Sequence, residues 1–327
     1  MASISNSTVS LGIHGNPSFL NFEVSFLSVP VLLLFVPLFY IPATSVVVFR
    51  IAVKSIAATK VNNVNVQLFS AITLSHIMCL LFFFADFMYL RLPLSGLLTS
   101  WCASLQPSGF LVILVIIVYH INYIVVILPF LVAVIRLISI LSPQRHHKIN
   151  SKILKWALPV IFLYPFLFTF GMFPTVGYCQ FPGWPVGYGG VIFRVNYTDF
   201  GIRNTLGLIF NTFFWLLACL IINIILIVKL VKLKHALGQH AKSQASHKAE
   251  ISLTITSVAM AFAYVTNGMI ALGGIIFPSY SVFLIVLRPF MNDLDTCLTP
   301  WIFYLTHPIF KKKSEVSIVV STHRTHS

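Results

Sequence analysis

Apolar stretches almost free of charge alternate along the chain with short polar, basic segments. A helix needs about 20 apolar residues to cross the hydrocarbon of a bilayer. Seven stretches qualify, near residues 27–49, 66–90, 108–135, 156–175, 205–228, 251–277 and 283–306. The pattern predicts helices, because a β-barrel would instead show short segments of alternating polarity.

Composition agrees with this division. The 327 residues are 58% hydrophobic and 9% charged, against about 25% charged in a soluble domain. Such a chain lacks the polar surface to cover a core in water, so the bilayer is its solvent. The expected fold class is an all-α membrane protein, a bundle of seven transmembrane helices, with residues 1–26 as an extracellular tail, 27–306 as the transmembrane domain and 307–327 as a cytoplasmic tail.

Lys and Arg collect in cytoplasmic loops. With the N-terminus outside and the C-terminus inside, all of the 21 Lys and Arg except Arg91, Arg194, Arg203 and Arg288 fall on the cytoplasmic side. The net charge of +14 is therefore read as a signal of topology, and nucleic acid is not an expected partner. Residues 1–26 hold no Lys or Arg, so they lack the basic first region of a cleavable signal and read as a translocated tail. The acceptor sequons at Asn6 and Asn196 fall on that same outer side.

Between the spans, the segment 175–204 is rich in Gly, Pro and aromatics and reads as an irregular outer lid. The basic segment 232–250 either extends spans five and six as a docking surface or forms a solvated loop. "THPIFKKK" offers Ile309 and Phe310 to the membrane interface and three lysines to anionic head groups. There is no internal repeat of the kind that inverted-repeat transporters carry.

Cys102 and Cys179 lie on the oxidising side, where a bond would tie the lid to the top of span three; two separate thiols are the alternative. Cys79, Cys219 and Cys297 lie within spans and read as packing. In span seven, Arg288, Asn292, Asp295 and Thr299 follow one another at i, i+4, i+7 and i+11, a single helical face. Charged groups at membrane depth face the bundle or a wet cavity, so this stripe reads as the internal polar face. Asp293 lies off it, pointing toward a neighbouring helix or across a break near Pro289. Candidate partners on other spans are Asp86, His76, His120, Asn122, Asn211, Asn223 and Asn267, which form either a switchable network or static interhelical bonds. Ligand-binding or switch candidates are thus Asp86, His120, Asn122, Arg288, Asn292, Asp293 and Asp295. Arg136, Arg145, Lys232, Lys234 and Lys248 are the candidates to face a cytoplasmic partner. No enzyme motif, cofactor motif or metal-ligand spacing is present in the sequence.

Seven spans, an outer N-terminus, Cys102 with Cys179, Arg136 below span three and a Pro-aromatic end to span seven together resemble a G-protein-coupled receptor. "VIR" (134–136) stands where an acidic-Arg-aromatic triplet is usual, and Thr299-Pro300-Trp301-Ile302-Phe303 only approximates Asn-Pro-x-x-Tyr. "HGNPSFLNFEVSF" (14–26), "VPLFYIP" (36–42) and "RPFMNDLDTCLTPW" (288–301) are similar to nematode serpentine chemoreceptors of class U. The resemblance implies a chemosensory receptor in the plasma membrane, in the cilia of sensory neurons, that couples an external small molecule to a heterotrimeric G protein. A channel or transporter using the polar residues of span seven, and a structural membrane partner without a ligand, are the rival expectations.

Overall fold

A computed structural model describes residues 12–24, 29–58, 65–183, 186–195, 204–237 and 244–310. The sequons at Asn6 and Asn196 and the lysines at 311–313 lie outside the described residues, as do the side chains of Lys234, Lys248 and Asn267.

Seven long helices make the bundle: α1 (Val29–Ala58), α2 (Val66–Asp86), α3 (Gly109–Leu141), α4 (His146–Leu163), α5 (Asn204–Leu237), α6 (Gln244–Ile276) and α7 (Ser281–Thr306). Five of them, with their short continuations, are long and apolar enough to cross a membrane singly. Among the described residues, Gly268–Ile276 of α6 and Pro278–Thr306, bent by 120° at their break, pass only when taken together. The reason for α7 is visible in its sequence, since Arg288, Asp293 and Asp295 interrupt the apolar run.

Helices α3, α4 and α5 differ in what surrounds them. Burial reaches 56% of the best apolar window of α3 but only 17% in α4 and 11% in α5. An apolar helix that leaves most of its surface uncovered by protein must be covered by lipid, so α3, with α2 at the same 56%, lies inside the bundle and α4 and α5 face the bilayer.

The helices are longer than the apolar stretches alone predict. The third runs on to Leu141 and the fourth begins at His146, about ten residues before its expected start, because basic turns beyond the hydrocarbon continue the helix without adding an apolar signal. Likewise α5 and α6 run well into the basic segment 232–250.

The lid is a correction. Instead of being irregular throughout, it contains an antiparallel ribbon of β1 (Gly177–Gln180) and β2 (Ile192–Val195), with Cys179 opposite Phe193 and Tyr178 opposite Arg194. Its inward positions are buried while Gln180 and Arg194 are exposed, the alternation that a half-covered ribbon requires. Ser108, just before α3, exchanges backbone hydrogen bonds of 3.0 and 3.1 Å with Gly177. Cys102, in the short helix Thr99–Ser104, is disulfide-bonded to Cys179 with a Cα–Cα distance of 5.8 Å.

Residues 12–24 fold back onto this roof. The amide of Ile13 donates to the Cys179 carbonyl at 3.0 Å, and that of Gly15 to the Ala103 carbonyl at 2.9 Å. Asn16 then caps the turn Pro17–Leu20 by accepting from Ser18 N–H. Gly12 has φ +79°, and a Cβ there would collide with the Cys179 carbonyl oxygen, so only glycine passes.

At the opposite end of the bundle, Ile51, Phe69, Ile72, Leu128, Ile135 and Phe303 form a buried apolar cluster. Ile309 and Phe310 pack against it while staying half-exposed: the turn Pro308–Phe310 brings the Phe310 ring 5.0 Å from Tyr304 and 5.7 Å from Phe303. The His307 ring, 5.1 Å from both Phe69 and Phe303, completes the contact.

Candidate functional site

The polar residues of α7 divide between two cavities. Under the ribbon lies a cavity of about 310 Å³ between α2, α3, α5, α6 and α7, roofed by Ile192, Phe193 and Arg194. Tyr89, Tyr119 and Arg288 supply polar walls, and Leu208, Ile270 and Leu284 are among the apolar ones. Deeper in the bundle is a cavity of about 30 Å³ bordered by Ser75, His76, Cys79, Asn292, Asp295 and Thr299. Its volume suits one or two waters, and the buried His76 ring nitrogens and Asn292 Nδ2, which have no partner among the described residues, supply groups to bind them. Of the predicted stripe, then, Arg288 lines the upper cavity, while Asn292, Asp295 and Thr299 line the lower one.

Ion pairs between α2 and α7 stand at this level. Arg288 Nη2 donates to Asp86 Oδ1 at 2.5 Å. Asp293, off the stripe, turns toward α1 and α2, where it pairs with Arg91 and accepts from the Tyr40 hydroxyl. Arg91 Nη2 also donates to the Pro289 carbonyl at 2.7 Å. The Arg91 guanidinium lies between the Phe83 and Phe290 rings, 5.4 Å from each centroid, an arrangement that favours a desolvated cation. The side chains of Arg91 and Asp293 are 1% and 6% exposed, so their charges answer each other almost wholly inside the protein.

Arg91 was expected to flank span two, and the structure corrects this by burying it. After Asp86 the helix widens into a π-turn, Phe87–Arg91, in which the Leu92 amide bonds back to the Phe87 carbonyl. Pro93, with no N–H, follows in the turn Leu92–Leu94. The inserted residue rotates the end of α2 so that Asp86 and Arg91 both meet α7. Neither Arg91 nor Tyr40 stood among the candidates. The signal for Arg91 was the apolar Leu92-Pro93-Leu94 that follows it, which extends the span; Tyr40, 253 residues from Asp293 in sequence, carried none.

The remaining candidates lie elsewhere. The His120 ring faces Phe166, 4.7 Å away, and the buried Asn122 lines neither cavity. Asn211 accepts from the Tyr164 hydroxyl and donates to the Gly207 carbonyl, and Asn223 donates to the Cys219 carbonyl, so both act as local staples. Arg136 is 3% exposed and donates to Thr254 Oγ1 at 2.6 Å and Ser257 Oγ at 3.3 Å on α6. In this arrangement it therefore binds α3 to α6 inside the bundle. Arg145 and Lys232 are exposed at the same end. In the roof, burial pushes the Tyr188 phenol up to about 12.

Comparison with known proteins agrees with this architecture. The family profile described as "Serpentine type 7TM GPCR chemoreceptor Sru" matches residues 13–313. The chain is also similar to serpentine receptor class U-26 of Caenorhabditis elegans, 50% identical over 260 residues that make up 80% of this chain and 90% of that protein.

Proposed function

The chain belongs to the serpentine seven-transmembrane chemoreceptors of class U, and on that premise we propose that it detects an external small molecule and passes the signal to a heterotrimeric G protein. The family is one of receptors rather than enzymes. The observation that carries the reading is the 310 Å³ cavity, roofed by a disulfide-tethered ribbon and walled by Arg288, whose guanidinium is paired across the bundle to Asp86 on α2. A ligand in that cavity touches a side chain that links two helices, and a ligand shifts a conformational equilibrium only through such differential contacts.

In this reading the ribbon lies outside and Arg136, Arg145 and Lys232 lie inside the plasma membrane, in agreement with the sidedness of Lys and Arg. Sensory cilia are the proposed location. Arg136, held against α6, marks the closed state; release from Thr254 and Ser257 frees it for the Gα subunit, and the exposed Arg145 and Lys232 flank that face. Lys234 and Lys248, in the same basic segment, extend it.

Calcium or cAMP reporting in cells that express the chain with a promiscuous Gα, screened with odorant and pheromone panels, tests the reading. A ligand-dependent signal that disappears without Gα and in Arg136→Ala supports it. Silence despite verified surface expression, together with ion flux in liposomes, overturns it in favour of transport through the polar residues of α7.

A further inference from the structure

The charge around the upper cavity is one-sided. Two guanidinium groups, of Arg194 and Arg288, line it, and among the described residues the only carboxylate paired with either is that of Asp86, 3% exposed behind Arg288. Arg194, an exposed residue of β2 at the rim of the cavity, makes no ion pair among the described residues. Arg288 is 17% exposed, spends Nη2 on Asp86, and its buried Nε has no hydrogen-bond partner among the described residues. A guanidinium N–H taken out of water without an acceptor is costly, so the cavity holds one positive charge and at least one directed donor more than the described residues answer.

We propose that the ligand is a small amphipathic carboxylate, its anionic group held by Arg288 and Arg194 and its apolar body against Leu208, Ile270 and Leu284. This rests on the receptor reading and narrows it to a ligand class. Charge assistance makes a carboxylate oxygen a better acceptor here than a neutral amide. A cation would meet two guanidinium groups, and like-charge contact rejects it. One surplus positive charge suits a monoanion rather than a dianionic phosphate. The volume, near the lower end of the roughly 300–1,000 Å³ typical of ligand pockets, admits a metabolite and excludes a folded peptide.

The test uses the full chain in lipid nanodiscs with 4-phenylbutyrate, octanoate and indole-3-acetate, each beside its primary amide and its amine, followed by thermal unfolding and ligand-observed NMR. At least one acid is expected to bind and to raise the unfolding temperature, with its amide about tenfold weaker and its amine inactive. Because Arg288 also pairs with Asp86 and its loss can unfold the chain, Arg194 provides the clean variant. Arg194→Ala is expected to weaken acid binding about tenfold while the unliganded protein unfolds at the same temperature, and Arg194→Glu to shift preference toward the amine. The proposal is overturned if no acid binds at about 1 mM, if amides bind as well as acids, or if Arg194→Ala leaves acid binding unchanged. The two readings fail separately. A Gα-dependent response evoked only by neutral or cationic compounds ends the carboxylate proposal and keeps the receptor; acid binding without any Gα-dependent response does the reverse.

Discussion

At the ribbon end of the bundle, Cys102 and Cys179 are covalently joined, Ser108 and Gly177 exchange two backbone hydrogen bonds, and residues 12–24 close over both. At the opposite end, the described ties between helices are side-chain contacts, such as Arg136 with Thr254 and Phe69 with Phe303. A disulfide and a strand pairing change only by being broken, whereas side-chain contacts are exchanged for others of similar energy as helices shift by an ångström or two. The ribbon end is thus built as a fixed frame around a cavity, and rearrangement falls to the far end. Between them, the Arg288–Asp86 and Arg91–Asp293 pairs join α2 to α7 and connect cavity to core.

The largest effect is expected from breaking that connection. Asp293→Ala strands the buried Arg91 guanidinium, and loss of one partner of a buried pair costs about 3–5 kcal/mol. Thermal unfolding of the purified chain should show it, and the double variant Arg91→Met with Asp293→Leu should recover most of the loss because neither charge is then buried. If the double variant is as unstable as the single one, the pair is not the cause.

Untying the frame comes next. Cys102 and Cys179 are 77 residues apart in sequence, a loop for which the chain-entropy argument gives about 4.5 kcal/mol. Cys102→Ser should lower the unfolding temperature and speed hydrogen exchange in the ribbon, while the packing of Phe303 and Phe310 at the far end is preserved. Equal loosening at both ends would contradict the division.

Gly12→Ala should act more locally. The positive φ and the collision with the Cys179 carbonyl together amount to about 1–3 kcal/mol of strain, which the chain escapes by releasing residues 12–24. Faster exchange of the Ile13 amide and protease cleavage within the segment are the expected readouts. Gly15→Ala is the control, because Gly15 also has positive φ, +72°, but nothing within 4 Å of the position of a Cβ; it should do less.

Which of these features were legible in the sequence follows from what imposes them. The hydrocarbon thickness imposes length and polarity on every span, so all seven apolar stretches could be read, including α7 with its charges. Sidedness of the cysteines brought Cys102 and Cys179 together as a candidate pair. The stripe Arg288, Asn292, Asp295 and Thr299 and the off-stripe place of Asp293 follow from helical rotation alone. The partners of Asp293 do not. Arg91 reaches it through a one-residue π-turn that no regular wheel reproduces, and Tyr40 through packing of α1 against α7, which is tertiary. The ribbon strands are four residues each, too short to show alternation against a Gly- and Pro-rich background. His120 and Asn122, chosen as polar groups in apolar surroundings, were assigned no face, and α3 turns them away from both cavities.

The smallest expected effect sharpens the comparison most, since it touches only the far end. Thr254→Val with Ser257→Ala removes the two hydroxyls that accept from Arg136 and keeps side-chain volume nearly constant. A hydrogen bond to a charged group is worth about 1.5–3 kcal/mol when its loss leaves the charge unmet, but Arg136 keeps other interactions, so the net change should be near 1.4 kcal/mol, about tenfold in the ratio of closed to open bundle. If the open bundle is the form that engages Gα, signal without ligand should rise by up to that factor at equal surface expression, with the exchange rate of the Ile13 amide unchanged. A rise accompanied by faster Ile13 exchange would mean that the two ends move as one body. An unchanged basal signal would mean that the seam between α3 and α6 does not set the resting state, and the moving part would then have to be sought at the α2 and α7 ion pairs themselves.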